Sequence, residues 1–215
     1  MSTTTNPGHF LAAGDRLFVD SREDWPLNAC VGRQFKAWQA ELAYIDGYRQ
    51  AADCLLDRLI DGQSVTLFLD TAIYPALHFY RHHFELLLKH LFRLAADLTD
   101  QPPQKMHNHD LVQLWSMLTP LFVRIYGSKI NADFEVAGQL LNELHQSDPN
   151  GQAARYPVDT QGRRTLNDHA RINVRNLRDV AGRLSDMLLG LQTDLADKLE
   201  NHLEHLAEMQ QQHGC

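Results

Sequence analysis

The stretch from Tyr74 to His90, YPALHFYRHHFELLLKH, decides the fold: it reads as a core helix, yet it carries four histidines, an arginine, a glutamate and a lysine. His78, Arg81, His82, Glu85 and Lys89 fall at spacings of three, four and seven, so on a helix they share one face. The surrounding apolar pattern extends the helix from about Val65 to Leu98, where the segment DQPPQK ends it. Pro75 must kink it or mark its first turn, because proline has no amide donor and clashes with the preceding turn.

The flanking sequence has the same period. Phe35, Trp38, Leu42, Ile45, Ala52, Leu55, Leu56 and Leu59 predict a helix from about Val31 to Ile60, stopped by Asp61-Gly62. Leu111, Leu114, Trp115, Leu118, Leu121 and Phe122 predict a third over Asp110 to Tyr126, stopped at Gly127. Asn131 can cap a fourth, with Phe134, Val136, Leu140, Leu141 and Leu144 inward, before QSDPNGQ breaks it. The segment ARYPVDTQGRR has turn chemistry in Asp159 and Gly162 and reads as a short loop or hairpin. A long last helix, carried by leucines from Leu177 to Leu206, is expected to start between Leu166 and Ala170 and run to about Met209. Its steps approach a heptad seam, which needs a partner: the first helix or a second subunit.

No alternating strand pattern or internal repeat interrupts this series. The expected class is all-α, a bundle of four or five helices with a long C-terminal helix. Residues 1–28 form an N-terminal extension, 29–195 the helical domain and 196–215 an acidic tail continuing the last helix.

Composition limits the function. A net charge of −7 excludes a generally basic surface, so any nucleic-acid site must be local, and the one basic cluster is Arg155, Arg163, Arg164, Arg171, Arg175, Arg178 and Arg183. The plain reading of that cluster is a set of solvated faces. Three cysteines without a CxxC pair argue against a disulfide framework and a cysteine zinc site. The N-terminus has no signal-peptide pattern and no apolar run is long enough for a membrane span, so a soluble, cytoplasmic protein with no membrane contact is expected. No P-loop, dinucleotide fingerprint, HExxH or GxSxG is present, and no cofactor is expected.

Three motifs in order carry a family resemblance. Glu85 and Lys89 give Glu-x-x-x-Lys within an apolar helix, His109-Asp110-Leu111 opens the next helix, and Arg155-Tyr156-Pro157-x-Asp159 precedes the last. Over residues 65–190 the chain resembles the HEPN superfamily, small α-helical domains found with nucleotidyltransferases, in toxin-antitoxin pairs and in prokaryotic antiviral systems. The resemblance implies a bundle of four or five helices, a homodimer, and an RNA or nucleotide ligand. Catalytic members pair an Arg and a His with four to six residues between them and cleave RNA at a dimer cleft without a metal. Arg81 is followed by three leucines at 86–88 where that His would fall, whereas Arg164 and His169 have four residues between them and Arg163 and His169 five.

Two readings of the polar residues stand side by side. In the functional one, Arg81 and Arg164 bind phosphate, His82 and His169 transfer protons, Glu85 orients His82, and His109, Arg155 and Tyr156 contact the ligand. In the structural one, Glu85 and Lys89 fasten the second helix to the His-Asp-Leu turn and the Arg-Tyr-Pro loop, because buried charges must be paired, and Asp110 is an N-cap. A metal held by His107 with His109, or by His78, His82 and Glu85, is the rival chemistry, but no complete ligand set is present and none is assigned. The alternative from another class is a non-catalytic interaction module whose C-terminal helix binds a protein partner.

Overall fold

In the computed structural model, which describes residues 15–18, 22–31, 37–62, 66–102, 106, 109–127, 132–166 and 169–213, five α-helices form among the described residues and no strand does. They are α1 (Ala37–Ile60), α2 (Thr66–Leu98), α3 (Leu111–Tyr126), α4 (Ala132–Ser147) and α5 (Val174–His213). Phe35, His107, Asn131 and Cys215 lie outside the described residues. The all-α expectation holds, with a 40-residue last helix. The chain divides into two compact units, Met1–Lys36 and Ala37–Cys215, whereas the sequence pattern placed the edge of the extension at residue 28. Among the described residues of the first unit a 3-10 turn forms at Trp25–Leu27, closed by the Leu27 amide on the Asp24 carbonyl. Among the described residues no helix is long and apolar enough to cross a membrane.

Helix α2 is the centre of the second unit and packs against α1, α3 and α5, while α4 packs on α3. Tyr80, Phe84, Leu87, Leu88 and Leu91 of α2 meet Ile45 and Leu56 of α1, Leu114 and Leu118 of α3, and Leu188 of α5 in one core. Pro75 sits inside α2 without ending it. It and Thr71, one turn earlier, are both exposed, so the proline ring lies on the outer side of the helix.

Helix ends follow local chemistry. Beyond α2, Asp100 adopts a left-handed conformation (φ 54°) and the Gln101 amide returns to the Ala96 carbonyl at 2.9 Å, the six-to-one closure that usually recruits glycine. Asp110 caps α3, its carboxylate accepting from the Gln113 amide at 2.9 Å, and Gly127 (φ 54°) follows its last turn.

Two sequence expectations are corrected. Helix α5 begins at Val174 rather than between Leu166 and Ala170, because Leu166 is itself left-handed (φ 54°) and Asn173 caps the helix with its side chain on the Asn176 amide at 2.9 Å. Val136, expected to face inward, is exposed and Ala137 points into the core instead, whereas Leu141 is buried as expected.

The heptad seam of α5 finds its partners within the chain. Arg49 of α1 pairs with Asp186, Arg178 with Asp57 at 2.9 Å, and the Tyr126 hydroxyl donates to Asp194 at 2.7 Å. Beyond these contacts Leu203, Leu206 and Met209 are exposed.

Leu88 and Leu118 are fully buried, so Leu88→Ala or Leu118→Ala should each cost about 2–5 kcal/mol in denaturant unfolding, whereas Leu203→Ala should stay within about 0.5 kcal/mol.

Candidate functional site

The polar face of α2 resolves into separate environments. Arg81, expected as a phosphate-binding cation, lies inside the bundle with 1% of its surface exposed. Its Nε donates to the Asp148 carbonyl at 3.1 Å, one terminal nitrogen donates to the carbonyls of His109 and Pro149, and the other lies 3.4 Å from Glu85. Such a guanidinium has no face to offer a strand arriving from solvent. Glu85, expected to orient His82, instead accepts from Lys89 Nζ at 2.7 Å and meets the Nδ1 of His109 at 2.7 Å. Burial alone would raise the Glu85 pKa, but the hydrogen bonds from Lys89 and His109 reverse that and hold it below the usual glutamate range. These contacts fasten α2 to the His109-Asp110 turn and to the turn after α4, not to the Arg155-Tyr156-Pro157 loop.

His82 packs edge-on against Tyr48, ring centroids 4.4 Å apart, and stacks on His78 at 6.1 Å. Burial lowers both pKa values, so both rings are held toward the neutral form. Among the described residues no group of three His, Cys, Asp or Glu is placed to hold a metal ion. Neighbouring His83 is fully buried, with Nδ1 2.9 Å from the Ile45 carbonyl and Nε2 2.7 Å from the Ser185 hydroxyl. A carbonyl only accepts, so Nδ1 carries the proton and Nε2 accepts from Ser185.

The second candidate lies after α4. Asp148, read from sequence only as part of a break, is 3% exposed, and its Oδ1 accepts from the Gln152 and Ala153 amides at 2.7 and 2.8 Å. Its placement before Pro149-Asn150-Gly151 was the available signal, since aspartate satisfies turn amides a few residues on. A small hairpin follows. Val158 and Arg164 form one antiparallel bridge, Asp159 binds the Gln161 and Arg163 amides and the Arg163 guanidinium, and Thr165 donates from its hydroxyl to the Tyr156 carbonyl at 2.6 Å.

The hairpin presents Tyr156, 55% exposed, with the Arg155 guanidinium 5.5 Å from its ring centroid. Tyr156, Arg163, Arg164, Thr165 and His169 line one polar cavity of about 660 Å³. His169 lies 2.6 Å from the Ser147 hydroxyl, which also donates to the Glu143 carbonyl at 2.9 Å. With the hydroxyl proton spent on that carbonyl, His169 Nε2–H donates to Ser147 and Nδ1 is left as the basic nitrogen. Of the expected site residues, the structure therefore brings Arg155, Tyr156, Arg164 and His169 to one loop face and places Arg81, His82 and His109 elsewhere.

No family model, curated protein or solved structure matches this chain.

The His83 pKa is lowered by burial, so its neutral form contributes stability that is lost as pH falls from the unfolded value of 6.5 toward the depressed folded one. Unfolding free energy measured between pH 7 and 5 should drop in the wild type, and His83→Gln should flatten the slope. Arg81→Ala, which strips a donor from three carbonyls, that of Asp148 buried, and a partner from buried Glu85, should cost about 3–5 kcal/mol.

Proposed function

We propose that this chain is a HEPN-like protein of a prokaryotic defence or toxin-antitoxin system that binds and acts on RNA at the face of the loop joining α4 to α5. One observation carries the reading: an exposed aromatic ring and the side chains of Arg163, Arg164 and His169 converge on one polar cavity in a chain whose overall charge is acidic. Arginine answers the phosphate, Tyr156 offers a surface on which an unpaired base stacks, and the oriented imidazole of His169 supplies proton transfer. In strand cleavage, His169 Nδ1 takes the proton of the ribose 2′-hydroxyl as that oxygen attacks the adjacent phosphorus. The 5′-oxygen leaves as a hydroxyl, taking a proton from water, a cyclic phosphate remains, and Arg164 stabilises the charge on the phosphoryl oxygens. A homodimer would bring two such faces together.

The exposed Leu203, Leu206 and Met209 favour a second reading, a non-catalytic interaction module that receives a protein partner on the end of α5.

Purified protein incubated with single-stranded RNA in EDTA separates the two. Cleavage that disappears in His169→Ala and falls at least about a hundredfold in Arg164→Ala supports the nuclease. RNA binding without cleavage, with a salt slope reduced by about one in Arg164→Ala, supports a binding role alone. Clean wild-type protein that neither binds nor cleaves RNA leaves the interaction module as the surviving reading.

A further inference from the structure

Helices α4 and α5 diverge above α2 and leave a cavity of about 340 Å³. Its walls come from Leu77 and Phe84 of α2, Leu140 and Leu144 of α4, and Leu177 and Leu184 of α5. These are core-type residues at helical spacing, and the space between them lies within the range of small-molecule pockets, roughly 300–1,000 Å³. The polar lining is confined to one end, where α4 finishes and α5 begins: Ser147, His169, Arg171, Asn173 and Asn176, with Glu143 as the acidic group. Asp148 also lines the cavity; its Oδ1 accepts from two backbone amides, its buried Oδ2 has no hydrogen-bond partner, and its charge is opposed by Arg81. Arg171 is exposed and has no ion-pair partner among the described residues. Its charge is joined at that end by the positive pole of a 40-residue helix.

We propose that this cavity is a binding site for a medium-chain carboxylate, its chain between α4 and α5 and its head group on Arg171. The size follows from the volume, which lies at the small end of the range of ligand pockets and so suits a chain of medium length. The sign of the head follows from the unpaired guanidinium, and the single polar end fixes its orientation. Ser147 and His169 line this cavity as well as the larger polar one, so an occupied cavity would place the ligand's head group beside His169. The site stands without the RNA reading, because none of its walls depends on Tyr156 or Arg164.

The test is calorimetric titration of the full chain with decanoate, with decan-1-ol and decyltrimethylammonium as neutral and cationic controls of equal chain length. Saturable one-to-one decanoate binding is expected, with Arg171→Glu, a surface change, weakening it at least about tenfold, as loss of a charge-assisted contact implies. Leu144→Trp should abolish binding by filling the cavity, with circular dichroism checking that the helices persist; where it unfolds the chain, Arg171→Glu still decides. The proposal is overturned by no saturable decanoate binding below about 1 mM, by equal binding of the ammonium compound, or by unchanged affinity in Arg171→Glu.

Discussion

The Glu85 carboxylate, 4% exposed on the central helix, is the constraint around which the second unit is arranged. An ionised carboxylate in that position is tolerated only where its lone pairs are answered, and here Arg81, Lys89 and His109 answer them. Arg81 is itself a buried cation, and its remaining donors go to carbonyls at the start of α3 and the end of α4. One i, i+4 pair on α2 thereby fixes where two other helices enter and leave the core. Apolar packing alone would let α3 and α4 slide along α2 at little cost, because leucine side chains are not directional. Directed donors to named carbonyls remove that freedom.

The opposite side of α2 uses another device. The Tyr80 hydroxyl donates to Asp53 of α1, which also faces Arg49 and Arg178, and the latter reaches Asp57. His83 bridges α1 and α5 with its two ring nitrogens. Burial and the bond to Asp53 push the Tyr80 phenol well above its ordinary pKa, so it remains a donor across the physiological range. Between them the two polar seams explain why a helix so rich in histidine and charge can sit at the centre of a bundle: Arg81, His83 and Glu85, its most deeply buried polar groups, each meet a directed partner.

Much of this was legible in the sequence. The helical period placed all five helices, and Asp110 before an apolar run announced its own cap. The i, i+4 relation of Glu85 to Lys89 implied a contact, and Arg81 is one turn earlier on the same face. Less legible was which carbonyls Arg81 would serve, since Asp148 and Pro149 lie 67 and 68 residues further along and carbonyls carry no sequence signature. The start of α5 was misplaced for a related reason: apolar Leu166 and Ile172 continue the helical period, and only the left-handed turn at Leu166 shows that the chain has not yet begun to coil. The cavity between α4 and α5 was invisible, because periodicity marks residues as inward-facing without saying whether the inside is filled.

The two regions that attracted functional interest are physically connected, which bears on how variants are read. Arg81 holds the carbonyls of Asp148 and Pro149, and Asp148 in turn organises the turn at Gln152 and Ala153 that leads into the hairpin bearing Tyr156 and Arg164. Removing Arg81 would therefore displace the loop face without Arg81 ever touching a ligand. Lost activity in an Arg81 variant is not evidence of a catalytic arginine unless the loop is shown to keep its place. Arg164 and His169 stand on the opposite footing: both are exposed, and neither belongs to the buried contacts of Glu85. A residue whose removal alters chemistry while leaving unfolding free energy unchanged is acting at the site, and the exposed loop is where such residues are found.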